Sequence, residues 1–235
     1  MNELQFINEL KQIGIVLNDY QLDQFRHYFT TLIVYNKKMN LTTIVDKNEV
    51  YLKHFYDSLT ILMDLKVKKS LNLCDVGAGA GFPSVPLKIV RPDLKITIVD
   101  SLGKRVSFLR DLVNVLQLSD IEAIHARAED YAKESRELFD IVTARAVAKL
   151  NMLSELCIPL VKKGGLFIAM KAQNGKEELE NAQKGIKILG CKLIKFKEFL
   201  LPNNGGKRNI LIFQKINKTP DKYPRNYSQI KNKPL

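Results

Sequence analysis

The stretch Leu73-Cys74-Asp75-Val76-Gly77-Ala78-Gly79-Ala80-Gly81-Phe82-Pro83 is an apolar run that opens into three glycines spaced Gly-x-Gly-x-Gly. It stands where a first strand ends and a first crossover helix begins. Glycine is needed there because the chain must turn tightly and let a ligand approach its backbone, with the amide N–H groups of the helix start available to polar ligand groups. A dinucleotide loop of the Gly-x-Gly-x-x-Gly type would need glycine where Phe82 stands, so that reading fails. The second feature is Asp100, at the end of the next strand and 23 positions after Gly77. An acidic side chain at the carboxyl edge of a sheet can accept both hydroxyl hydrogens of a ribose. Ser101, its neighbour, joins the same candidate site.

Working outward, short apolar runs alternate with amphipathic stretches. Leu71 to Val76, Ile96 to Asp100, Ile121 to His125, Phe139 to Thr143 and Leu166 to Met170 are strand candidates. Val106, Leu109, Val113 and Leu116, and then Leu150, Leu153, Cys157 and Leu160, recur at helical spacing between them. Repeated strand then helix predicts a parallel sheet covered on both faces. The ending differs: Lys192 to Leu201 and Asn209 to Gln214 are strand-like and joined by the turn-rich PNNGGK, which predicts an antiparallel hairpin. Upstream, residues 1–66 read as a helical extension, with Leu4, Ile7, Leu10 and Ile13 on one face and Leu22, Phe25, Phe29, Leu32 and Ile33 on another. Asn18 followed by Gln21 resembles a capping box. The core spans 67–216, and 217–235 form a basic tail, draped over the surface or mobile.

With 235 residues, 46% apolar and 26% charged, the chain suits one large domain with appendages and is not globally disordered. No membrane-spanning run occurs, and MNELQFINELKQ is too polar for a secretory signal, so a cytoplasmic protein is expected. Cys74, Cys157 and Cys191 are widely separated, without metal spacing, and read as small buried apolar residues. The charge is one-sided. Residues 1–70 carry nine Lys/Arg against eight Asp/Glu (+1), residues 71–145 ten against eleven (−1), and residues 146–235 eighteen against six (+12). Such an excess attracts a polyanion, most often nucleic acid or an acidic membrane surface; a generally Lys-rich composition would not leave the first 145 residues neutral, so nucleic acid is favoured.

The strand-loop-helix setting of Asp75, Gly77, Gly79 and Gly81, with Asp100 and the five strands plus hairpin, resembles the class I S-adenosylmethionine-dependent methyltransferases, a Rossmann-like α/β fold. Asp75 adds an acceptor where a methyl donor's ammonium group would lie. Neighbouring segments narrow the resemblance. Asp75 to Leu87, Asp100-Ser-Leu-Gly-Lys-Arg105 with Phe108-Leu109, Arg127-Ala-Glu129, Thr143-Ala-Arg-Ala146, Asn40-Leu-Thr42 and His54-Phe-Tyr-Asp-Ser-Leu59 together look like the RsmG (GidB) family, over about residues 20 to 215. That resemblance implies transfer of a methyl group from S-adenosylmethionine to N7 of guanine 527, in the decoding-region loop of 16S ribosomal RNA. It further implies cofactor contacts at Gly77, Phe82, Ala128, Glu129 and Arg145, with the RNA or the small ribosomal subunit as partner and no obligate protein partner. Two departures from the family pattern are Ala172 after Lys171, where glycine is usual, and Ser84 in place of a common glycine.

The implied chemistry needs no catalytic acid or base, because guanine N7 carries an in-plane lone pair and no hydrogen. Thr143-Ala144-Arg145-Ala146 stands where an exocyclic-amine methyltransferase would show Asp/Asn-Pro-Pro-Tyr, and Cys157 lies at a core-facing helix position unsuited to a nucleophile. Lys104, Arg105, Lys171, Lys207 and Arg208 are candidates for holding RNA phosphates, each equally readable as a solvated surface charge. Arg145 is read as a functional contact in preference to a structural ion pair. His54 reads as packed or capping more readily than functional, and Phe82 either borders the cofactor or plugs the space between loop and sheet. Methyltransfer to another RNA, or cofactor and RNA binding without turnover, remain alternatives.

Overall fold

The computed structural model describes residues 1–63 and 70–235. Its sheet contains β1 (Asn72–Val76), β2 (Lys95–Asp100), β3 (Ile121–His125), β4 (Phe139–Arg145), β5 (Val161–Lys171), β6 (Cys191–Leu200) and β7 (Lys207–Lys215). Their order is β3-β2-β1-β4-β5-β7-β6, with β1 to β5 parallel and β7 antiparallel to both neighbours. Six strands coincide with the sequence reading to within two residues, while β5 begins five residues before the expected Leu166. Between β6 and β7 the turn is made by Asn203 and Asn204, both in the left-handed region that asparagine tolerates.

Side chains alternate across each strand, and the alternation divides the core in two. Leu73, Ile141, Ile168, Met170, Ile210 and Ile212 face the N-terminal helices. Cys74, Val76, Val142, Phe167, Leu211 and Phe213 face the opposite layer. The first face is covered by α1 (Glu3–Gln12), α2 (Asp19–Met39), α3 (Lys47–Val50), a π-helical turn Tyr51–Tyr56, α4 (Asp57–Leu59), a 3-10 turn Thr60–Met63, α5 (Ser84–Val90) and α6 (Gly103–Val115). The second carries α7 (Ala128–Glu134), α8 (Leu150–Cys157), α9 (Gly175–Ile188) and α10 (Tyr227–Asn232). All three cysteines are buried, as expected. The expected boundary between residues 66 and 67 lies outside the described residues.

The capping box at Asn18 and Gln21 is present, and Asn2 with Gln5 forms a second one at α1. One expectation fails in α1: Leu4 is 67% exposed, and the buried pair is Phe6 and Leu10. Residues three apart drift around a 3.6-residue helix by about 60° per step, so Leu4, Ile7, Leu10 and Ile13 cannot share a narrow stripe. The tail is draped over the second layer. Thr219 and Ile230 are fully buried, and Arg136 donates to the carbonyls of Thr219, Pro220 and Tyr223. Hydrogen bonds, the Arg225–Glu155 ion pair and isolated apolar side chains such as Tyr223 and Ile230 hold it, with no regular spacing, which is why no period announces it. The Lys215 ammonium, fully buried, donates to the carbonyls of Ile158 and Val161 and to Thr219 Oγ1, and pairs with Glu137 at 3.1 Å. Removing such a cation leaves the half-buried Glu137 carboxylate and the carbonyls of Ile158 and Val161 without it, so Lys215→Met is expected to cost about 3–5 kcal/mol in urea unfolding; a loss below ~1 kcal/mol would contradict this anchor.

Candidate active site

Two cavities open at the carboxyl edge of the parallel strands and share Ala146 and Val147 in their walls. The first, about 510 Å³, is lined by Gly77, Asp100, Ser101, Arg105, Arg127, Ala128, Glu129 and the ends of β1 and β2. Glycine is obligatory at its floor. Gly77 has φ +73°, and a Cβ there would come within 2.7 Å of Val147. Gly79 has φ +59° with open space beyond it, a cradle that nothing in the chain fills. Asp100 accepts N–H groups from Gly79 at 3.2 Å and Leu102 at 2.9 Å. A carboxylate offers about four lone-pair sites, so acceptor capacity remains for a ligand. Glu129 is buried and held by Arg127 Nε at 2.8 Å.

Gly77, Gly79, Asp100, Ser101, Ala128 and Glu129 are thus brought together around one cavity or its rim, as the sequence reading expects. Asp75, Gly81, Phe82 and Arg145 are not. Gly81, at φ +98°, packs so closely that a Cβ would meet the Tyr28 hydroxyl at 2.6 Å and Val85 at 2.8 Å. Asp75 shares its sheet face with Leu73, beneath the loop, where Oδ2 accepts the Ser84 N–H at 3.1 Å and Oδ1 has no hydrogen-bond partner among the described residues. Burial raises its carboxyl to about 7, against the lowering influence of Ser84 and Arg145.

The second cavity, about 560 Å³, is lined by Lys53, His54, Asp57, Arg145, Lys149, Lys171, Glu178 and Arg208, with Met170 and Ile210 as apolar walls. Its organising group is Asp57, only 6% exposed in its side chain. Its Oδ2 takes Arg145 at 3.3 Å and Arg208 at 3.0 Å. Arg145 also donates to the Lys53 carbonyl at 3.1 Å and meets His54 Nδ1 at 3.2 Å. A guanidinium has only donors, so Nδ1 accepts and the ring proton sits on Nε2, directed to Thr42 Oγ1 at 2.9 Å. Burial, reinforced by Arg145, lowers His54 to about 3 and keeps it neutral. Phe82 is stacked between His54 and Tyr28, with ring centroids 4.5 and 5.3 Å away, and the Arg145 guanidinium lies 4.9 Å from its centroid. Phe82 therefore fills the space between loop and helices. The ion pair of Arg145, weighed against function from sequence, is present.

Of the phosphate candidates, Lys104 is exposed on α6 and Arg105 borders the first cavity, 3.8 Å from Asp100. Lys171 is buried against Glu178 at 2.8 Å, Arg208 pairs with Asp57, and half-buried Lys207 pairs with Glu198 at 2.8 Å. Ala172 does not occupy the left-handed region, so alanine is tolerated where the family usually has glycine. Tyr28 and Tyr227 were not legible: Tyr28 falls among core-spaced apolar residues, and Tyr227 lies in a stretch without period; Arg127 was quoted for the resemblance but given no role.

The fold defined by this sheet and site is that of the class I S-adenosylmethionine-dependent methyltransferases. The crystal structure of M. jannaschii TYW2 in complex with AdoMet matches with TM-score 0.57 at 15% identity, over 74% of this chain and 80% of that one. Precorrin-6y C5,15-methyltransferase from Geobacter metallireducens matches with TM-score 0.54 at 15% identity, over 67% and 87%. Within that fold, residues 21–210 match the GidB family model, rRNA small subunit methyltransferase G. Proteins named Ribosomal RNA small subunit methyltransferase G are 51% identical in Lactobacillus acidophilus, over 100% of both chains, and 54% in Bacillus cereus, over 96% of this chain and 95% of that one. The chain belongs to this family of ribosomal RNA methyltransferases.

Two outcomes follow from the buried groups. Asp57→Ala leaves two guanidiniums facing each other without a carboxylate, and is expected to cost about 3–5 kcal/mol in urea unfolding. For Asp75 the folded pKa lies above the unfolded one, so the native state holds the extra proton and stability falls as pH rises from about 4 through about 7. Unfolding at pH 5 and pH 8 should therefore show Asp75→Asn gaining on the wild type at pH 8; an equal difference at both pH values would refute it.

Proposed function

We propose that this protein transfers a methyl group from S-adenosylmethionine to N7 of guanine 527 in the decoding-region loop of 16S ribosomal RNA, in the cytoplasm, with the RNA or the small subunit as partner. The observation that carries the reading is the common wall at Ala146 and Val147. On one side of it lies a cavity with a ribose-type acceptor, and on the other a cleft with five basic side chains against two acidic ones. The first cavity fits the cofactor: Gly79 leaves the cradle open, and Asp100 keeps unused acceptor capacity at the sheet edge.

Bound there, S-adenosylmethionine supplies a methyl group on an electrophilic sulfonium. In this reading Asp100 holds the ribose hydroxyls, Gly77 and Gly79 let the backbone approach, and Ser101, Ala128 and Glu129 border the remainder of the ligand. Asp75 acts from below, fixing the start of α5 through the Ser84 N–H so that the loop keeps its shape. The basic cleft holds the RNA backbone and admits an unstacked base, which a loop supplies more cheaply than a duplex. Since N7 has no proton to lose, positioning and charge stabilisation suffice, and the neutral His54 need not move one.

The test is methyl transfer from labelled S-adenosylmethionine to ribosomal RNA and to small subunits lacking the modification, followed by mapping of the label. Label on N7 of guanine 527 supports the proposal; label on another nucleotide, or none with either substrate, rejects it. Asp100→Ala should weaken cofactor binding by about 10- to 100-fold, the worth of hydrogen bonds to a charged acceptor, as measured by calorimetry.

A further inference from the structure

The C-terminal tail lies beyond the residues 21–210 matched by the family model, yet one of its side chains stands in the wall of the first cavity. Tyr227, the first residue of α10, is 37% exposed. Its ring lies 4.7 Å from the guanidinium of Arg127, which in turn donates to the buried carboxylate of Glu129 at 2.8 Å. Carboxylate, guanidinium and aromatic ring thus form a continuous chain of contacts in the lining of the cavity.

Two anchors bring Tyr227 there. Glu155 of α8, fully buried, accepts the Arg225 backbone N–H at 2.9 Å and the Arg225 side chain through Nε at 2.9 Å and a terminal nitrogen at 2.6 Å. Ile230, three residues after Tyr227, is fully buried in the core of that face. A merely covering tail would need no carboxyl side chain taken out of water to fix a point two residues from a cavity rim.

We propose that Tyr227 is a cofactor-binding residue, and that the tail is an integral wall of the S-adenosylmethionine site. The proposal rests on the assignment of the first cavity to the cofactor. An aromatic face at the rim suits the purine of such a ligand, and it holds Arg127, which keeps the Glu129 side chain in place. Docking of the tail and occupation of the cavity then favour each other, because ligand contacts exist only while Tyr227 is in the wall.

The experiment measures S-adenosylhomocysteine binding by calorimetry to wild type, Tyr227→Ala and Tyr227→Phe, each checked for an unchanged melting temperature. Tyr227→Ala should bind about three- to tenfold more weakly, while Tyr227→Phe, which keeps the ring, binds as the wild type does. Trypsin cleavage after Lys222, Arg225 and Lys231 should slow when S-adenosylhomocysteine is added. Wild-type affinity in Tyr227→Ala, or ligand-independent cleavage of the tail, overturns the proposal and leaves the cofactor assignment intact. A folded wild type that binds no S-adenosylhomocysteine overturns both.

Discussion

A single carboxylate joins the three parts of this molecule that must meet. Asp57 follows a π-helical turn in the N-terminal helices, Arg145 ends β4 in the parallel sheet, and Arg208 comes from β7 in the hairpin. None of the three could be buried alone, because desolvating an unpaired charge costs several kcal/mol. Together they are tolerated, and their mutual need fixes how the helices sit on the sheet. Phe82, His54 and Tyr28 stack beside this cluster and carry the same constraint into the glycine loop, where the Tyr28 hydroxyl donates to the Ala80 carbonyl at 2.6 Å.

The loop is shaped from both sides. From beneath, Asp75 and Tyr28 hold its backbone. From above, Asp100 takes the Gly79 N–H. The glycines divide the work: Gly81 admits the close packing of Tyr28 and Val85, while Gly77 and Gly79 leave the ligand side open. A loop rigid before ligand arrives loses little entropy on binding, which is the physical value of supporting it so heavily.

How far the sequence could be read depended on the kind of signal. Strands and crossover helices were legible because burial on two faces leaves continuous apolar runs and helical periods, as in Leu150, Leu153, Cys157 and Leu160, all fully buried. The pairing of Gly77 with Asp100 was legible because strand ends of a parallel sheet lie along one edge, whereas Glu129, on α7, was reached only through the family resemblance. Asp75 and Arg145 were placed at that edge correctly but on the side away from the first cavity. The period-2 alternation sends Asp75 with Leu73, and Arg145 with Ile141, toward the N-terminal helices, whereas Val76 goes to the cavity.

By itself, then, the sequence determined the seven strands, the glycine loop, the acidic residue at the end of β2 and the basic bias of the last third, all of which are local or compositional. Tertiary structure alone decided what those charges do. Lys171 meets Glu178, Arg208 meets Asp57, and Arg225 meets Glu155, so much of the basic excess near the cleft is engaged in holding the fold. It also decided that Tyr227 reaches the first cavity, 150 positions after Gly77. Pairings between distant residues leave no period in the chain, because they are set by which sheet face and edge each element reaches after folding.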